Sequence, residues 1–218
     1  SQPLVAAFGK VACLYIADGH HRAASASRAR AQLRSENGHW SGSEDGNFFL
    51  AVSSPAEQLK ILPYNRVIKD LQGQSPQDFL AQLRAEFTVT ETSVQTPPRP
   101  GRSHFYLAGQ WYELELRPGS GNSPSAKLDV ALLQDQVLSP KLGIGDPRTD
   151  KRIDFVGGIR GTGELVRLVD SGKGAIAFSM YPTSVAELMA ISDADEIMPP
   201  KSTWFEPKLR DALLIHAI

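Results

Sequence analysis

Five consecutive residues, Asp18-Gly19-His20-His21-Arg22, have the side-chain types that phosphate chemistry uses. Glycine permits a tight turn that exposes backbone N–H groups, and at the start of a helix such groups favour an anion. Two imidazoles and a guanidinium add donors for phosphate oxygens. Mg2+ prefers one or two carboxylates plus phosphate oxygens, so Asp18 alone suffices as its protein ligand. Asp18 could instead accept a proton. Gly19, His20, His21 and Arg22 are thus candidate phosphate ligands. Asp18, His20 and His21 are candidate catalytic groups, and Asp18 is the candidate metal ligand. The competing reading is a polar strand-to-helix turn with Asp18 as a cap. Adjacent histidines on a turn point in different directions, so they cannot both be core. Zinc is disfavoured, because no Cys/His pair at ligand spacing exists elsewhere.

Three further segments could join this chemistry. Tyr64-Asn65-Arg66, with Lys69-Asp70, clusters donors after a possible strand; a solvated helix start is an equal alternative. Residues 143–154 hold Asp146, Arg148, Asp150, Lys151, Arg152 and Asp154 on a path stiffened by glycine and proline. Arg148, Lys151 and Arg152 are candidate phosphate-neutralising cations, and Asp150 and Asp154 are second choices for base or metal ligand. Residues 157–163 follow as another possible anion turn, though the spacing fits neither a dinucleotide nor a Walker motif. Lys201-Ser202-Thr203 mimics the end of a P-loop, but Pro199 and Pro200 replace the glycines a P-loop needs. Lys201 and Ser202 can still contact phosphate from a proline-stiffened loop. The alternative is a loop anchored by Trp204 and Phe205, with Lys201 in solvent.

The elements that must position these residues follow from the periodicity. An apolar run at 11–17 predicts a buried strand leading into the turn, and residues 23–34 predict the helix beyond it. Cys13, the only cysteine, lies in that run and is expected to be a buried small hydrophobe. Residues 48–52 and 59–62 read as strands. Ser75-Pro76-Gln77-Asp78 starts a helix whose apolar stripe is Phe79, Leu80, Leu83 and Phe87. Residues 88–94 are strand-like. Residues 104–107 and 111–116 flank Ala108-Gly109-Gln110 as a hairpin. A helix is expected over 129–138, a strand over 153–156 and a helix over 162–169. A strand is expected over 175–180, and a capping box of Ser184 and Glu187 should open a helix through Ile191. A terminal strand is expected at 213–218. Irregular alternation of strands and helices predicts a mixed α/β (α+β) fold: a strand–turn–helix unit and a mixed sheet with flanking helices.

The chain has 218 residues, 41% hydrophobic and 22% charged, with a formal net charge of −1. An ordinary core is expected, in one large domain or two small ones. The near-neutral charge argues against wrapping nucleic acid. No apolar run approaches the ~20 residues of a membrane span. One cysteine and no visible signal segment fit a cytoplasmic setting. The best motif falls within twenty residues of the start, which suggests a fragment lacking N-terminal scaffold.

Three blocks, LYIADGHHR, LGIGDPRTDKRIDFVGGIRG and MPPKSTWFEPKLR, resemble the signature blocks of the family known as domain of unknown function 1015, in the same order. The resemblance covers essentially the whole chain and matches the C-terminal half of that family. One departure is HHRAASA, where many members have an aromatic residue after the arginine. The first block alone is similar to the nucleotide-binding turn of the ParB/sulfiredoxin-like superfamily, which includes a free serine kinase. That likeness implies nucleotide phosphates at Gly19, His20, His21 and Arg22, with Asp18 near the metal or the attacking hydroxyl. It divides the chain into a phosphate-binding portion, 1–95, and a portion closing the same site, 96–218.

The resulting expectation is a nucleotide-dependent phosphotransferase using ATP or ADP and Mg2+. Its acceptor would be free L-serine or a similar small hydroxyl compound. Such chemistry needs positioning and charge neutralisation more than covalent catalysis. The competing expectation is a nucleotide-binding regulatory or DNA-associated protein without kinase activity.

Overall fold

A computed structural model describes residues 2–210 and 214–216. The chain forms two compact units, one made of residues 1–59 and 207–218, the other of residues 60–206.

The first unit has two helices, α1 (Gln2–Phe8) and α2 (His20–Glu36), and irregular connections. Alanine and arginine dominate α2, both good helix formers, and its C-terminal end carries Arg34 where a cation suits the dipole. None of its side chains is buried. Leu33 packs with Trp40 against Gly46, where a Cβ would approach Leu33 Cδ1 to 2.5 Å, and Arg30 Nε donates to Asn47 Oδ1 at 2.6 Å. The strand expected at 11–17 does not form, nor does the one at 48–52. An apolar run becomes a strand only where another strand takes its backbone hydrogen bonds, and among the described residues none pairs with either segment. Cys13 is accordingly exposed rather than buried. Half of the strand expected at 213–218 lies outside the described residues.

The second unit holds the core. Its strands are β1 (Lys60–Leu62), β2 (Tyr64–Ile68), β3 (Val89–Glu91), β4 (Arg102–Leu107), β5 (Gln110–Glu115), β6 (Ile153–Gly157), β7 (Ile176–Met180) and β8 (Trp204–Glu206). Six of them form one sheet in the order β3-β5-β4-β7-β2-β6, and β1 pairs with β8. The mixed α/β class holds, but every pairing is antiparallel rather than mixed. Short hairpins such as β4–β5 explain part of this. Ala108 and Gly109 both take positive φ, 49° and 85°, as a type I′ turn requires.

Helices cover both faces of the sheet. The helices α3 (Pro76–Glu86), α4 (Asp129–Leu133), α5 (Ser139–Leu142) and α7 (Val185–Asp193) bring Phe79, Leu83, Leu133, Leu142 and Ile191 to the larger core. A π-turn over Gln134–Leu138 joins α4 to α5. On the other face α6 (Gly163–Asp170) inserts Leu165 beside Val67, Tyr106 and Val156. The helix starts agree with expectation: Ser75 caps α3 and accepts from Asp78 N, and Ser184 with Glu187 forms the capping box of α7.

Register aligns side chains in rows. On the larger-core face Phe155, Arg66, Phe178, Phe105 and Tyr112 follow one another across five strands. Arg66 is the one charged member. The Tyr64-Asn65-Arg66 segment therefore lies on an interior strand, not at a solvated helix start.

Candidate functional site

The strand-free approach to Asp18 ends in a turn at Gly19, with φ 83° and ψ 25°. This left-handed conformation suits glycine. A Cβ at this position would lie 2.9 Å from Arg22 Nε and Nη2, so the guanidinium of Arg22 folds back over the turn. Gly19 also serves as N-cap of α2: its carbonyl accepts the first helical bond, from Ala23 N at 2.9 Å. A glycine has no side chain to cap the terminus, and the first turn has no acidic residue. His20, His21 and Arg22 occupy that turn. Their rings and guanidinium sit at the positive end of a 17-residue helix, where the dipole favours anions and disfavours cations. The two imidazole rings do not diverge as expected. Their centroids lie 4.1 Å apart at 45°.

Asp18 is the counter-charge to this cluster. Its Oδ1 accepts from Gly19 N at 2.8 Å, and its Oδ2 accepts from Lys208 Nζ at 3.0 Å. Partial burial pushes the carboxyl up, but the Lys208 ammonium, the Gly19 N–H and the Arg22 charge outweigh it and hold it below the usual carboxylate range. Lys208 lies 190 residues away in sequence. Its role escaped the sequence reading because a lone lysine in a loop has no local signal. Asp18 offers a single carboxylate, and among the described residues no group of three or more His, Cys, Asp or Glu side chains is placed to hold a metal. A divalent ion there would depend on phosphate and water for its other ligands.

The other candidate residues lie in the second unit. Arg148 and Arg152 are held by their own loop. Arg148 donates from Nε and Nη2 to both oxygens of Asp146, at 3.0 and 3.2 Å from Nε and 3.0 Å from Nη2. Arg152 donates to Asp150 and to the carbonyls of Leu142 and Gly143. These pairs hold Asp146 and Asp150 below their ordinary range. Lys151 is exposed, and its carbonyl accepts from Lys69 Nζ, which also pairs with Asp154. Of the glycines that follow, Gly157 and Gly158 are packed against neighbours, while Gly161 and Gly163 have open space around them. A Cβ on Gly157 would lie 2.3 Å from Trp204 Cε3, and one on Gly158 2.7 Å from Pro63 Cδ. They are small so that a ring and a proline can pack on the backbone.

Two segments that the sequence left separate do converge. Arg66 donates from Nη2 to the Lys201 carbonyl at 3.1 Å and from Nη1 to the Tyr64 carbonyl. The Lys201 ammonium lies over the Tyr64 ring at 5.5 Å. The Arg66 guanidinium lies 5.5 Å from the Phe155 ring centroid, and Tyr64 meets Phe155 and Trp204 edge-on. Ser202 is buried, with its hydroxyl donating to Pro199 O at 2.6 Å. Burial pulls the Arg66 guanidinium down to about 9, against a small opposing effect of Tyr64, so it remains charged at neutral pH.

The fold and the turn define a mixed α/β chain with His20, His21 and Arg22 in the first turn of α2. The chain belongs to the family described as protein of unknown function (DUF1015), whose model matches residues 1–131. No curated protein matches by sequence. Among solved structures, the chain is similar to a free serine kinase in complex with AMP, at 14% identity and TM-score 0.39, covering 87% of this chain and 66% of that one. A variant of that kinase in complex with ADP gives 16% identity and TM-score 0.40 over the same shares. A conserved hypothetical protein from Pyrococcus furiosus gives 16% and 0.42, over 87% and 68%. The chain thus spans just under two thirds of the kinase chains it matches. Among the described residues no helix is long and apolar enough to cross a membrane.

Proposed function

We propose that the chain binds a nucleotide through the turn at Asp18–Arg22 and transfers a phosphoryl group to a small hydroxyl compound, with free L-serine as the first acceptor to try. The observation that carries this reading is the start of α2, which is rich in histidine and arginine and has no side-chain cap. Two histidines and an arginine stand where the helix dipole is already positive, beside Asp18, which accepts from the Gly19 N–H. A terminus of this kind favours a polyanion over a neutral ligand. Backbone N–H groups of the first turn, with His20, His21 and Arg22, would hold the phosphates. Asp18 would share a Mg2+ ion with phosphate oxygens, the ion supplying charge neutralisation when bound. Its depressed proton affinity suits a metal ligand better than a general base. His20 or His21 then remains to take the acceptor's proton.

Calorimetric titration with ATP and ADP, with and without Mg2+, tests the reading. Micromolar binding is expected, and it should weaken about tenfold in His21→Ala or Arg22→Ala, the worth of one charged hydrogen bond. Absence of nucleotide binding, or unaltered affinity in both variants, overturns it. Mass-spectrometric detection of phosphoserine from serine then separates transfer from binding alone, which is the regulatory alternative.

A further inference from the structure

The second unit contains a buried cation without an anion. Arg66 is 3% exposed, between Phe155 and Phe178 in an aromatic row on an interior strand. Among the described residues no carboxylate pairs with it; its partners are two carbonyls and the Phe155 ring. Removing a guanidinium from water costs several kcal/mol, and neutral partners return only part of that. An apolar side chain would fill the same place in the row at less cost.

The second observation lies in the loop that Arg66 holds. Lys201 takes φ 54°, a conformation unfavourable for lysine. The loop is nonetheless fixed: Ser202 bonds back to Pro199, and Thr183 Oγ1 donates to Ser202 O at 3.2 Å. Two cations, 135 positions apart in sequence, are thereby held at one loop. Strain and uncompensated charge at the same place mark a functional arrangement rather than a stabilising one.

We propose that Arg66 and Lys201 form a binding site for a small oxyanion, a carboxylate or a phosphoryl group, seated beside the half-buried rings of Tyr64 and Phe155. A guanidinium has about five N–H donors. The two carbonyls engage one nitrogen each, so donors remain for a ligand. The ammonium of Lys201 swings from the Tyr64 ring to cover the anion. Nothing in this proposal depends on the nucleotide reading. It uses residues of the second unit alone, and its test contains no nucleotide.

The test is thermal unfolding of the full chain in acetate, in inorganic phosphate and in chloride, at matched pH and ionic strength. A ligand that binds only the folded state raises the midpoint in a saturable way. Wild type is expected to show a saturable rise of several degrees with acetate or phosphate, and the responding anion identifies the ligand class. Arg66→Met removes the charge and keeps the volume. It is expected to be at least as stable as wild type in chloride and to lose the saturable rise. Lys201→Asn, exposed and tolerant of positive φ, should fold normally and need about tenfold more anion. No saturable rise with either anion in wild type overturns the proposal. So does a rise that persists in Arg66→Met. If Arg66→Met does not fold, the Lys201→Asn titration decides: a wild-type response overturns the proposal and a weakened one upholds it.

Discussion

Lys208 governs what Asp18 can do. Its ammonium stabilises the ionised carboxylate, so that carboxylate gives up its proton readily and regains it poorly. In Lys208→Ala the charged form loses its partner, and the proton affinity of Asp18 must rise toward the ordinary carboxylate range. Carbon-13 NMR titration of the side chain would see the midpoint move up, and an unmoved midpoint would show that Lys208 does not hold it. In wild type the depressed value means that the folded state contributes stability above the unfolded pKa, lost as pH falls through the folded one. Gly19 is a sharper test of the turn. Gly19→Ala places a Cβ at φ 83° and against the Arg22 guanidinium. A loss of about 1–2 kcal/mol in local helix stability is expected, read as reduced ellipticity at 222 nm and weaker nucleotide binding.

At the scale of elements, the start of α4 stores a titratable defect. Asp129 accepts from Gly101 N at 2.8 Å through Oδ1, while its Oδ2 is buried with no partner. Burial, reinforced by Glu187, pushes this carboxyl up to about 6, against the pull of the Gly101 N–H. The folded state therefore holds the proton more tightly than the unfolded one. The contribution is fully present below the unfolded pKa near 4 and is lost as pH rises through about 6. Asp129→Asn mimics the protonated form. It is expected to match wild type near pH 4 and to exceed it at pH 8 by on the order of 2 kcal/mol; equal denaturation midpoints at pH 8 would count against a buried, strained carboxylate. Elements of this kind were readable in the sequence where a local rule operates. Ser75 and Ser184 cap helices, and Ala108-Gly109 closes a hairpin. The misses share a physical origin. Residues 11–17 and 48–52 have strand composition but no partner strand, and pairing is not a local property. The strand β2 was hidden because its charged residue, Arg66, lies on a buried row, and only register reveals that row. The packing role of Gly157 and Gly158, which clear Trp204 and Pro63, had no local signal in the sequence. At the turn itself the residue types were plain from the sequence, and Lys208 was not.

On the scale of the molecule, the two units differ in what holds them. Every described side chain of the first unit is at least partly exposed, including Leu4, Val5, Leu14 and Phe49, whereas the second buries Phe79, Phe105, Phe178 and their neighbours completely. Local opening tracks buried apolar contact. Amide hydrogen exchange should therefore be fast throughout α2 and slow in β2, β4 and β7. Equal protection in α2 and β7 would refute the contrast. The second unit also begins and ends on neighbouring strands, since Lys60 pairs with Glu206, Ile61 with Phe205 and Leu62 with Trp204. It is an insertion whose two ends adjoin. Such a segment can be excised, joined end to end by a short linker or moved into the surface loop of another protein, because closing it asks little of the chain.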